Sequence, residues 1–203
     1  MEASNFLQKS KEPREWRKHA MALRRSAETL WNHFSSVLSE EIARSAAAKE
    51  EPDLEPSIET LEITKLLYGL AVETALKAWI VERSPEKVEI RVVLDGSGNP
   101  KHAELRTVGV PTASGHNILA LAEAAGLFGG DFNAAIPTPE DERALRNIFR
   151  DLGEVVLWRG RYPVPLASAA PLQLDPKVHP RALAYHMRDW LDPVLDALLS
   201  SEA

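Results

Sequence analysis

The sequence contains no cysteine. That absence excludes a disulfide framework, a zinc-thiolate site, an iron–sulfur cluster and a thiol nucleophile, and it fits a reducing compartment. No stretch comes near the roughly 18 consecutive apolar residues of a membrane span. The N-terminal MEASNFLQKSKEPREWRKH lacks the apolar region of a secretory signal. The expectation is a cytoplasmic protein that makes no membrane contact. Positive charge is also scarce: 24 Lys and Arg stand against 30 Asp and Glu, a formal net charge of −6. Holding nucleic acid through one broad basic surface needs the opposite balance. The basic charge gathers locally instead, at Arg14, Arg17, Arg24 and Arg25 and again at Arg143, Arg146, Arg150, Arg159 and Arg161. Each set reads either as a local anion-binding patch or as the solvated face of a helix.

What is present is a mainly helical pattern. With 203 residues and 44% hydrophobic content the chain can bury one substantial core, and we expect a single domain over 1–203. Trp16, Ala20, Leu23, Ala27, Leu30, Phe34 and Val37 recur at three- and four-residue spacing, which predicts a long first helix over 12–45. AAAKEEPDLEPS follows, and its prolines at Pro52 and Pro56 predict a linker. A second helix is expected from Ile58 to Arg83, apolar on nearly every side between Leu66 and Val81 and hence central. Ser84-Pro85 ends it.

In 86–110, Val88, Ile90, Val92 and Leu94 alternate before the turn sequence DGSGNP, predicting a β-hairpin inserted between helices. One hairpin is marginal alone, so it must pack on the bundle or on another subunit. A short helix is expected over His116–Ala125, with Ser114 as its cap and Gly126 as its stop. Thr138-Pro139-Glu140-Asp141 opens the next helix, whose buried stripe is Leu145, Ile148, Phe149, Leu152 and Val156. Past the proline-rich RYPVPLASAAPLQLDP, a last helix over 179–200 turns Leu183, Met187, Trp190, Leu191, Val194 and Leu198 inward, with Pro193 as a kink. The predicted architecture is mainly α: a bundle of about five helices with an inserted β-hairpin.

Three segments taken together, LLYGLAVETALKAWI, SGHNILALAEAAGL and LWRGRYPVP, resemble the HEPN family of helical domains over about Leu61 to Leu166. The resemblance rests on an apolar helix with a glutamate and a lysine one turn apart, a short helix opened by histidine, and Arg-Tyr-Pro closing the next helix. It implies a core at 58–166 flanked by the first and last helices. It also implies a homodimer that pairs across the surface bearing the polar site.

Six residues stand out as ligand-binding candidates. Glu73 and Lys77 lie at i and i+4 on the most apolar helix, in the order that favours an ion pair. Glu73 either reaches toward Arg159 or Arg161 to order a polar site or bridges helices structurally. His116, behind Gly115, can meet a ligand at the start of the short helix or simply cap it. Arg159, Arg161 and Tyr162 end a helix before Pro163. Two guanidiniums beside an aromatic suit phosphate and base, whereas the structural alternative has arginine bonding the helix's last carbonyls.

Active members of the HEPN family are metal-independent ribonucleases with a histidine four to six residues after an arginine. The arginine stabilises the developing charge on phosphate, and the histidine moves a proton or positions the ribose hydroxyl. No histidine follows Arg161 within that window. Arg181-ALAY-His186 and Arg14-EWRK-His19 do fit the spacing, but 15 arginines and six histidines produce about one such coincidence by chance. Arg181 and His186 are the better catalytic candidates, although positions five apart on a helix diverge by about 140 degrees. His179 and His186 lack carboxylate companions, and neither a metal nor a cofactor is expected.

The expected function is therefore a non-catalytic, HEPN-like binding or accessory module that recognises RNA, a nucleotide or a partner protein, in a setting such as toxin–antitoxin or defence. The alternatives are a metal-independent endoribonuclease and a structural partner of a nucleotidyltransferase.

Overall fold

The computed structural model describes residues 2–112, 115–161 and 186–200. Among them are six α-helices, the five expected and one more, and an inserted antiparallel hairpin. The additional helix is α1 (Ala3–Ser10), which the reading of 12–45 did not include. It is joined to α2 by Trp16, whose Nε1 donates to the Ser10 carbonyl at 3.1 Å.

Helix α2 (Pro13–Ala48) starts with proline at its first position and ends where Lys49 turns left-handed at φ 59°. The linker is short, and α3 (Glu55–Arg83) begins earlier than expected because Pro56 lies in its first turn, where the missing N–H leaves no helical bond unmade. The Glu41 carboxylate holds the linker in place by accepting from Arg44 at 2.7 Å, from the Asp53 N–H at 2.7 Å and from Ser45 Oγ at 3.0 Å. Arg44 first, and the Asp53 N–H next, pull its pKa down to about 2.

Helices α2 and α3 form a long antiparallel pair, and α3 is the helix that the others surround. Its Tyr68, Leu76 and Ile80 meet Ile118 and Leu121 of α4 (Ile118–Ala124), Phe149 and Leu152 of α5 (Pro139–Glu154), and Leu191 of α6 (Met187–Leu199) in one apolar core. Ion pairs fasten the outer helices: Arg17 to Glu82, and Arg24 to Asp192 at 3.2 Å and Asp196 at 2.5 Å.

The expected cap of α5 is present, with Thr138 Oγ1 accepting from the Asp141 N–H at 3.1 Å, and all five residues of the predicted stripe are buried. The cap of α4 differs from expectation. Asn117 Oδ1 accepts from the Ala120 N–H at 3.0 Å, so the helix starts at Ile118 and His116 precedes it. Ser114 lies outside the described residues. The last helix, expected over 179–200, is α6 from Met187 to Leu199, and Leu183 lies outside the described residues.

The hairpin pairs β1 (Val88–Leu94) with β2 (Pro100–Val108), and a two-residue β3 (Val110–Pro111) extends β2's other side. Asp95 shapes the DGSGNP turn by accepting from the N–H groups of Ser97 and Asn99 at 2.8 and 2.9 Å, while Gly98 takes φ +82°. At the base, Val108 is buried, and Gly109 turns at φ +71° where a Cβ would fall 2.5 Å from Ile80 Cδ1. The hairpin's base is therefore fixed to α3, and its outer half stands away from the bundle.

Candidate functional site

The central helix carries Glu62, Lys65, Gly69, Glu73 and Lys77 at three- and four-residue spacing, a polar stripe on an otherwise apolar element. Gly69 divides it. A Cβ there would lie 2.5 Å from Val156 Cγ2 and 3.4 Å from the Leu152 carbonyl oxygen, so the end of α5 and the turn that follows it pack directly on that residue. Each half of the stripe is completed by a different neighbour, and two charged clusters result.

The first cluster brings together Glu73, Lys77 and His116, three of the six ligand-binding candidates. Lys77 Nζ donates to Glu73 Oε1 at 2.6 Å, and His116 Nδ1 lies 2.9 Å from Glu73 Oε2. The Glu73 side chain is 8% exposed, that of Lys77 16% and that of His116 41%. An ionised carboxylate only accepts, so the geometry places the imidazole proton on Nδ1 and leaves Nε2 unprotonated in the neutral ring. Nε2 has no hydrogen-bond partner among the described residues. Gly115 places the loop beside the lysine, where a Cβ would lie 3.4 Å from Lys77 Nζ. A histidine oriented by a buried carboxylate, with its other nitrogen open, can bind a donor or take a proton.

The second cluster is closed. Arg159 Nε donates to Glu62 Oε2 at 2.8 Å and Arg159 Nη2 to Asp151 Oδ1 at 2.7 Å. Lys65 Nζ lies 3.1 Å from Asp151 Oδ2, off the hydrogen-bonding direction, and 3.5 Å from Glu62 Oε1. Two cations and two carboxylates thus alternate around a ring. Burial alone would weaken the Arg159 charge, but Asp151 and then Glu62 outweigh it and raise the pKa above the usual arginine value. A π-helical turn over Val155–Arg159 delivers the arginine, and Gly160 closes it against Leu66 with the Gly160 N–H donating to the Val155 carbonyl at 2.9 Å.

Of the two readings of Glu73, the reach toward Arg159 or Arg161 is not made: Lys77 and His116 occupy its carboxylate, and Arg159 belongs to the other side of Gly69. Arg161 is exposed and donates to the Leu157 carbonyl at 2.5 Å, bonding the end of the helix, while Trp158 is held by Glu154 at 2.7 Å. Tyr162 and Arg181 lie outside the described residues. His186 is exposed at the N-cap of α6, not inside a helix, and it has a carboxylate companion, Asp189 Oδ2 at 3.1 Å from its Nδ1. Among the described residues no three His, Asp or Glu side chains group as a metal site, and no helix there is long and apolar enough to cross a membrane.

Sequence reasoning missed Glu62, Lys65 and Asp151. The signal existed: Asp151 sits between Ile148 and Leu152, on the face of α5 that must be buried, where a carboxylate requires a cation. Compared with known protein families, with curated proteins and with solved structures, the chain matches none.

Proposed function

We propose that this chain is a non-catalytic, HEPN-like accessory module that acts by binding a partner protein. The observation that supports this reading is the internal pairing of five of the nine clustered arginines. Arg17, Arg24, Arg143, Arg146 and Arg159 each meet a carboxylate of the same chain. Arginine that serves phosphate must present its fork to the ligand. Here Arg17, Arg24, Arg146 and Arg159 turn their forks to carboxylates of neighbouring helices, and the net charge is −6.

A second reading, a metal-independent endoribonuclease, is favoured by one feature: His116, backed by Glu73 and open at Nε2, is built like a general acid or base. Incubation of the purified chain with total RNA in EDTA separates the two. The accessory reading expects RNA to stay intact and not to bind. EDTA-resistant cleavage that disappears in His116→Ala and Glu73→Ala overturns it in favour of the nuclease.

A further inference from the structure

Among the described residues strand β1, seven residues long, is the edge of its sheet and has no strand partner on its outer side. Native proteins guard such edges with proline, lysine or a covering element. VEIRVVL holds no proline or lysine, its charges are Glu89 and Arg91, two register shifts interrupt its pairing with β2, and the exposed apolar residues Val92, Val93 and Leu94, at 39%, 41% and 57%, crowd its far half.

Alternate strand residues share a face, so Val88, Ile90, Val92 and Leu94 form one apolar row. Val88 packs on the core, and Ile90 and Val92 sit opposite Leu105 and Ala103 of β2. The row therefore runs from the bundle into solvent without changing character. At its inner end a hollow of about 210 Å³ opens, lined by Lys11, Val81, Pro85 and Val88. One end of the strand thus offers uncovered apolar side chains and the other an apolar hollow, about 20 Å apart for six residues of extended chain.

We propose that β1 pairs antiparallel with β1 of a second copy of this chain, about a two-fold axis through Ile90. In that register Glu89 of each copy faces Arg91 of the other, giving two cross-strand ion pairs. Val92 faces Val88, and Leu94 arrives beside the turn Pro85–Lys87 that walls the hollow. Slipping by two residues either way sets Arg91 against Arg91 or Glu89 against Glu89. A slip by one turns the apolar row to the wrong face. Arg91 makes no ion pair among the described residues, since Glu104, opposite it on β2, pairs with Arg106. The inference is independent of the proposed function, and it places the dimer at the hairpin instead of the polar-site surface that the family resemblance implies.

Sedimentation velocity of the full chain over a concentration series tests it, with circular dichroism verifying that each variant folds. The wild type is expected to dimerise, Arg91→Glu to weaken the dimer about tenfold or more, and Glu89→Arg with Arg91→Glu to recover it. Because the chain lacks cysteine, Ile90→Cys supplies one thiol per copy next to the axis. Mild oxidation should link Ile90→Cys into a covalent dimer and leave the Glu59→Cys control unlinked. A wild type that remains monomeric at high micromolar concentration, a dimer indifferent to Arg91→Glu, or a folded charge swap that fails to restore pairing overturns the proposal.

Discussion

The two charged clusters on α3 lie about 12 Å apart, measured over the eight residues from Lys65 to Glu73. They use the same residue types and end differently. Around Asp151, two carboxylates and two cations pair with one another, and Asp151 Oδ2 is met by the charge of Lys65 without a hydrogen bond. Around Glu73, the carboxylate is equally buried but its third member is a histidine on a loop, and one ring nitrogen has no partner among the described residues. The helix does not decide the outcome; the element docked against it does. A π-helical turn brings an arginine that closes one site, and the bend ahead of α4 brings an imidazole that leaves the other accessible.

This contrast can be broken by substitution. Asp151→Ala should cost the most, about 3 kcal/mol, because Lys65 and Arg159 would then share a partly buried site with one carboxylate. Urea unfolding reads it as a lower midpoint with unchanged slope. Gly69→Val should cost about 2 kcal/mol by forcing Val156 and the α5 backbone away. A thermal midpoint lower by about 4 to 8 °C would match that loss and confirm the tight packing at Gly69. Glu73→Gln should cost about 1 kcal/mol, since Lys77 and His116 can turn to solvent. Smallest of all, His116→Ala should stay within about 0.5 kcal/mol of the wild type, as expected of a half-exposed side chain kept for contact with a ligand. If Glu73→Gln proves more damaging than Asp151→Ala, the assignment of closed and open sites is reversed.

Much of the frame was legible from residues. Apolar spacing located the bundle helices, Thr138-Pro139 marked the start of α5, and DGSGNP marked the hairpin turn, because each depends on local chemistry. Pro56 misled because a proline that breaks a helix interior is welcome in its first turn. Helix α1 was missed because eight residues carry too little periodicity, and its place depends on contacts with β2 and Trp16. At the site, the pairing of Glu73 with Lys77 followed from their spacing. The partnership with His116, 43 residues on, depends on how α4 docks. The carboxylates that neutralise Arg159 come from positions 97 and 8 residues away, and no local pattern announces such a ring.

The open site is defined by a single proton. Long-range proton–nitrogen NMR of the histidine rings, assigned by comparison with His116→Ala, reports which nitrogen of His116 carries it. The account predicts the Nδ1–H form in the neutral ring of the wild type and loss of that preference in Glu73→Ala. A wild-type His116 protonated at Nε2, or a tautomer unmoved by Glu73→Ala, would contradict it.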